Sequence, residues 1–377
     1  MSTPLSKRVA ALAPSIIRVM NGRRRPTSID LSLGQPALPP DPGLVKEALE
    51  ATEKAGWGYT PNPGIVELRE VIAKHHGLPG RDQPQNVIVT VGSEEAVYLA
   101  LLSSVDPGDE ILFPEPGYPA YRGIAGLIGA TPVPYPIDRA TGLVARADAI
   151  EARITERTRI VVLNSPSNPF GTYEDEAELA RIAKVCEAHG VTILADEIYR
   201  DLVYGDRVFR SITEITDRAI LVSGLSKSCA LTGFRLGYLV ADADFVVQAT
   251  LAHQLVVTCT ARISQHAAVR VFAEPEHLVR HVPYYADARA AVAEAAKALP
   301  EDVPLFLGEG AFYAIIDVSR RTDDAYALAV RLLEEEDVVV VPGVAFGPGG
   351  EWFWRLSYAA GAETASEGVR RIARFLG

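Results

Sequence analysis

Between Asn86 and Val240, short apolar runs alternate with stretches of helical period. NVIVTV (Asn86–Val91) precedes a helix from Ser93, EILF (Glu110–Phe113) a second helix, and RIVVLN (Arg159–Asn164) a helix over Glu174–His189. VTILAD (Val191–Asp196) and AILVSG (Ala219–Gly224) complete the series. Such an alternation predicts an α/β fold with a mostly parallel sheet sandwiched by helices. In such a sheet, ligands sit beyond the carboxyl ends of the strands. Every run here ends in small or polar residues: Gly92-Ser93, Glu115-Pro116-Gly117-Tyr118, Asn164 to Asn168, Asp196-Glu197 and Ser223 to Lys227. These ends are predicted to converge on one cleft.

After Phe272 the pattern changes. A long helical stretch runs to Leu299, followed by a strand over Ala311–Val318, a helix from Asp323, and the runs VVVVPG (Val338–Gly343) and FWRLSYA (Phe353–Ala359). These predict a second, smaller α+β domain. The proline-rich segment Gly34–Pro42 links an N-terminal arm to the main sheet. The expected division is an arm over residues 1–44 that packs with the small domain, a large domain over 45–275, and a small C-terminal domain over 276–377.

Composition narrows the function classes. The 377 residues carry 37 Lys+Arg against 48 Asp+Glu, a net charge of −11. That is the wrong sign for a sequence-independent grip on nucleic acid or anionic lipid. Hydrophobic residues make 48% and charged residues 23%, which excludes a disordered chain. Cys186, Cys229 and Cys259 form no Cys-x-x-Cys pair, which argues against a disulfide framework or structural zinc and fits a reducing cytoplasm. No run approaches the roughly 18 apolar residues of a membrane span. Val9–Met20, broken by Pro14 and Arg18, is not read as a signal peptide.

Lys227 follows an apolar strand among small residues, where an amine can lose water and become nucleophilic. Asp196 ends the VTILAD strand, a place that also suits a helix cap or a metal ligand, and Tyr199 lies one short turn on. With Asn168 they put a carboxylate, a phenol, an amide and a lysine on neighbouring strand ends. That is the set a pyridoxal phosphate site requires. The cofactor is an electron sink whose ring nitrogen must stay protonated, and a buried Asp196 would hold that proton. Tyr199 and Asn168 offer donors to the ring oxygen. Lys227 offers the aldehyde a primary amine and then moves the substrate α-proton. For the phosphate, Gly92-Ser93-Glu94 opens a helix with free backbone N–H groups, although Gly-Ser at a helix start is also an ordinary cap. Ser226 and Arg235 add a hydroxyl and a guanidinium fork. Tyr118 either stacks on the ring face or packs within its own turn.

Further motifs run along the chain in order: Leu5-Ser6-Lys7-Arg8 with Pro14-Ser15, Leu33-Gly34-Gln35-Pro36, Tyr59-Thr60-Pro61 with Gly64 and Leu68-Arg69, and Asn164 to Gly171. Asp196 to Tyr199, Ser226-Lys227 with Gly233 to Tyr238, Pro342-Gly343 and Arg355 to Ala359 follow. By these the chain resembles the class I/II aminotransferases, of the fold type I pyridoxal-phosphate enzymes, over essentially its whole length. The resemblance implies the same roles for Asn168, Asp196, Tyr199, Lys227 and Arg235. It adds Arg355 as the arginine that grips the substrate α-carboxylate. It also adds Tyr59, as a tyrosine that reaches the cofactor phosphate of the neighbouring subunit, hence a homodimer with shared active sites. Three positions depart from the family pattern: Phe170 stands where threonine is usual, Gly224 where some members carry a phosphate-binding serine, and Glu94 where glutamine is common.

The reaction implied is a ping-pong transfer of an α-amino group from an amino acid to an oxo acid, 2-oxoglutarate or pyruvate. Lys227 is the catalytic residue, and Gly34, Asn168 and Arg355 hold the substrate carboxylate. The same constellation serves carbon–sulfur β-lyases, and a non-catalytic cofactor-binding regulatory module is a third reading. No metal site, nucleic acid or membrane partner is expected. Other polar features receive structural readings: His75-His76 on the solvated end of a helix, Trp352 and Trp354 on a strand with one buried face, and Glu334–Asp337 as a solvated helix end.

Overall fold

The structure is a computed structural model that describes residues 3–377, so the first two residues of the expected arm lie outside the described residues. A short strand β1 (Ile29–Asp30) precedes the large sheet, made of β2 (Val87–Thr90), β3 (Glu110–Glu115), β4 (Thr131–Pro136), β5 (Thr158–Asn164), β6 (Thr192–Asp196), β7 (Ala219–Gly224) and β8 (Gly237–Val240). The order is β2-β8-β7-β6-β5-β3-β4; β8 runs antiparallel to both its neighbours and the other pairs are parallel. β2 and β7 are buried along their whole length, as strands covered on both faces must be. On one face Leu99, Ile124 and Val246, from helices Ser93–Ser104, Ala120–Ile128 and Ala243–Val256, pack on Ile111, Val162 and Val222. On the other, Leu179 and Ile182 of helix Glu176–His189 pack on Leu112, Val161 and Ile193. Two strands of this sheet escaped the apolar pattern. β4 carries Pro132, Pro134 and Pro136, which a sheet tolerates only at its edge, where β4 lies. β8 is short and opens on a glycine.

The second layer contains β9 (Leu305–Leu307), β10 (Tyr313–Asp317), β11 (Val338–Val339), β12 (Val341–Pro342) and β13 (Phe353–Ser357). An antiparallel sheet of order β12-β13-β10-β9 forms its centre, and β11 pairs in parallel with β1. Trp354 packs on one side with Val292, Leu332 and Ile372 of helices Val282–Ala295, Ala325–Glu336 and Ala362–Leu376, the last of which the sequence pattern did not mark. Phe353 packs on the other side with Phe170, Ile315 and Phe346. β13 is therefore buried on both faces, which corrects the one-sided strand expected from Trp352 and Trp354.

The N-terminal segment is fastened to this layer. The hydroxyls of Thr27 and Ser28 each donate a 2.6 Å bond to Asp337, and Leu31 O accepts from Ser357 N at 2.8 Å. Glu334 and Glu335 are exposed as expected, but Asp337 is held by these bonds instead of being solvated. The histidine reading is also corrected. His75 and His76 form the last turn of helix Val66–His76, and His76 bridges the Tyr238 hydroxyl and the Arg200 guanidinium at 3.0 Å each. Burial holds both imidazoles below their usual range. Among the described residues no helix is long and apolar enough to cross a membrane.

Candidate active site

The carboxyl ends of the large-sheet strands open into a cavity of about 700 Å³, walled on the far side by Tyr313, Arg355 and N-terminal residues including Arg18 and Gly34. Ser93, Glu94, Tyr118, Asn168, Asp196, Tyr199, Ser226, Lys227 and Arg235 all line it with Gly34 and Arg355, so one cavity gathers these sequence-predicted residues. Gly92 lies directly against the Arg235 guanidinium. Tyr59 is the one placed elsewhere: it is 86% exposed on the outer surface.

Lys227 follows β7 and its Nζ donates a 2.8 Å hydrogen bond to Gly34 O. Burial strips its ammonium of water, and Arg355 and Arg235 add repulsion, bringing it down to about 8. Asp196 ends β6 with its carboxylate buried, accepting from the Tyr121 hydroxyl at 2.6 Å and from Ile198 N at 3.4 Å. Burial pushes this carboxyl up to about 6 against those bonds. Among the described residues it makes no ion pair, although the charge of Lys227 acts on it, so a cationic group of a ligand would complete its pairing.

At the end of β5, Asn164 Oδ1 accepts from Asn168 N at 2.8 Å, which sets the turn that presents the Asn168 side chain. Asn168 Oδ1 in turn accepts from Arg355 Nη1 at 2.9 Å. Arg355 is buried on β13. It donates through Nη2 to Ser32 O, and its guanidinium lies 4.5 Å from the Tyr313 ring and 5.0 Å from the Phe346 ring. Its buried Nε has no hydrogen-bond partner. A buried guanidinium held only by neutral groups is a receptor for a carboxylate.

The opposite end of the cavity suits a dianion. Gly92, at φ 80°, starts helix Ser93–Ser104, and a Cβ there would lie 2.5 Å from Arg235 Nη2. A Cβ on Gly237 would lie 2.3 Å from Ser93 N. Glycine at both positions lets a guanidinium meet the helix N-terminus. The departures have local reasons. A side chain at Gly224 would begin 2.8 Å from Leu236 O, leaving a serine no room, and Phe170 packs on Phe353 with ring centroids 5.5 Å apart. Glu94 lines the cavity as an exposed side chain.

Two residues escaped sequence reasoning. Tyr121 stands one helical turn after Tyr118, a spacing that could have flagged it. Tyr313 lies in a wholly buried strand and carries no local signal; its hydroxyl is 2.6 Å from that of Tyr199, and a Cβ on Gly34 would lie 2.0 Å from it.

A family model described as aminotransferase class I and II matches residues 26–372. The aspartate aminotransferase of Pyrococcus horikoshii is 32% identical, over 99% of this chain and 97% of its own. Among solved structures, the aspartate aminotransferase of Thermus thermophilus with maleate gives a TM-score of 0.92 at 28% identity, covering 100% of both chains. An aminotransferase from Mycobacterium tuberculosis gives 0.91 at 31% identity, covering 100% of this chain and 99% of that one.

Proposed function

This chain belongs to the class I and II aminotransferases, and from that premise we propose a two-stage ping-pong exchange. In it an amino acid gives up its α-amino group and leaves as an oxo acid, and 2-oxoglutarate or pyruvate then takes the group away. That the chain is an amino-acid transaminase follows from its family and relatives. The observation that carries the reading of its site is a three-part arrangement in one cavity. It joins a lysine amine of lowered pKa, a buried carboxylate without a cation and a buried guanidinium without an anion.

When bound, pyridoxal phosphate supplies an electron sink for charge developing at the donor Cα. Asp196 would hold its ring nitrogen, Tyr199 and Asn168 its ring oxygen, Tyr118 its ring face and Lys227 its aldehyde carbon. Gly92, Ser93, Ser226 and Arg235, with the backbone of Glu94, would hold its phosphate. The buried Asp196 carboxylate and the glycine-framed helix start fit this loading, and the orphaned Arg355 Nε fits a donor carboxylate. Arg355 binds the donor α-carboxylate, while Asn168 and the Gly34 backbone fix its tilt. With the carboxylate so held, Lys227 Nζ takes the proton from Cα and returns it on the way to product.

A panel of amino acids added singly, without acceptor, to the purified protein with pyridoxal phosphate tests this reading. One donor should convert the visible absorbance band to that of the aminated cofactor. Release of pyruvate with ammonia or a thiol would mark β-elimination in its place, and the absence of any band would sink the site.

The same reading makes the enzyme a cytoplasmic homodimer. Trp57 and Leu255 are 68% and 88% exposed, and their segments are tied together by Asn62 Nδ2 on Thr258 O at 2.8 Å and Arg262 Nη2 on Tyr59 O at 3.0 Å. Large apolar side chains left exposed on two segments tied together in this way call for a cover. A second copy would supply one and carry Tyr59 into its partner's phosphate site. Sedimentation velocity should give twice the chain's 40.6 kDa. Tyr59→Phe should weaken cofactor binding about tenfold at unchanged mass; a monomer, or an unchanged affinity, contradicts the shared site. The clustering of Met20 and Leu31 with Val292, Leu332 and Ile372, and the β1–β11 pairing, support the division into an arm (1–44), a large cofactor-binding domain (45–275) and a small domain (276–377), with Tyr199 and Phe170 packing across the boundary between the last two.

A further inference from the structure

We propose that Tyr313 is a positioning residue that aims the Tyr199 hydroxyl: it donates its own proton to Tyr199 and so leaves the single Tyr199 proton for the cofactor ring oxygen. This rests on the reading of Asp196, Tyr199 and Lys227 as the cofactor site.

The two hydroxyls are 2.6 Å apart, and both side chains are buried, at 3% and 1% exposure. A phenol has one proton, so only one of the pair donates in this bond. The surroundings decide which. The Arg355 guanidinium lies 4.5 Å from the Tyr313 ring, whereas Tyr199 meets Phe312 and Tyr313 edge-on with centroids 5.6 and 5.7 Å away. A cation over its ring makes Tyr313 the more acidic phenol and the stronger donor. Consistently, burial raises both phenols, but Tyr199 well above its usual range.

Acceptors point the same way. Tyr313 Oη sits against Gly34, whose carbonyl already accepts from Lys227 Nζ at 2.8 Å, and Arg355 has only donors to offer. Among the described residues, Tyr199 is the one hydrogen-bond partner of the Tyr313 hydroxyl. The charged and titratable groups that share the cavity with this pair are Arg355, Tyr118, Tyr121, Lys227, Asp196 and, further along its wall, Glu94, Arg18 and Arg235. A bond received by Tyr199 polarises its own O–H and strengthens the bond it donates. With the cofactor bound, that donated bond would stabilise negative charge on the ring oxygen and so favour the deprotonated form of the absorbing group. Weakening the Tyr199 bond would therefore raise the pH at which the visible band changes.

The test is a pH titration of the visible absorbance of the holoenzyme. Tyr313→Phe keeps the ring under Arg355 and removes one oxygen. Its titration midpoint should rise by about half a pH unit or more, while cofactor affinity stays within about threefold. Tyr199→Phe should shift the midpoint further, and Tyr199→Phe combined with Tyr313→Phe should match Tyr199→Phe alone. An unmoved midpoint in Tyr313→Phe, or a double variant that shifts beyond Tyr199→Phe, overturns the role of Tyr313 while leaving the cofactor site intact. No visible band in the unsubstituted protein overturns the cofactor site itself, and this inference with it.

Discussion

Lys227→Ala should lower kcat for amino transfer by about 10⁴-fold or more, because one side chain supplies both the nucleophile and the proton carrier. Among the described residues the cavity holds no second amine: its other cations are Arg18, Arg235 and Arg355. A guanidinium does not lose its proton in a protein, so none of them can take over. Lys227→Arg separates charge from chemistry. It keeps the cation beside Gly34 and should be as inactive as alanine. The unsubstituted protein should retain the cofactor through gel filtration, whereas both variants should release it. Retention of more than about one hundredth of kcat in either variant would remove Lys227 from the mechanism.

Asp196→Asn should cost two to four orders of magnitude in kcat/KM, the range expected when one partner of a buried ion pair is lost. The amide keeps the shape and the contact with Tyr121, so the loss reads charge and not packing. The same substitution should move apoprotein stability the other way. In the folded apoprotein the Asp196 carboxyl is raised from 3.8 to about 6. A carboxyl raised on folding destabilises the native state wherever it is ionised. The penalty is thus absent below about pH 3.8 and complete above about pH 6. Asp196→Asn should therefore raise the Tm of the apoprotein at pH 7 and lower cofactor affinity at the same pH. A Tm that falls with the affinity would show that Asp196 is a structural group and not a waiting counter-ion.

What could be read in advance follows from where the physical signal lies. Parallel strands covered on both faces must be continuous apolar runs, so β5, β6 and β7 were legible, and so were the polar residues at their ends. β4 was hidden because its three prolines forbid the pattern of an interior strand and suit an edge. The side chains of Lys227, Asp196 and Asn168 declare their chemistry by type and place. Tyr313 does not, since its meaning is a hydroxyl contact with Tyr199, 114 residues away, and no local period encodes such a pair. Burial of both faces of β13 was equally invisible, because the cover over Phe353 comes from Phe170, in a turn after β5, and Phe346, at the end of a short 3-10 helix after β12.

The bond between Ser28 and Asp337 joins residues 309 apart, and β1 lies beside β11. Segments far apart in the chain thus meet in one layer, which sets an order on biosynthesis. As the chain leaves the ribosome, the whole large sheet, from Val87 to Val240, has emerged before Asp337 is made. Its apolar strands can bury one another at once, whereas β1 has no neighbour until β11 has been made. The nascent enzyme therefore has its lysine-bearing floor in place while the wall that carries Arg355 is still unmade.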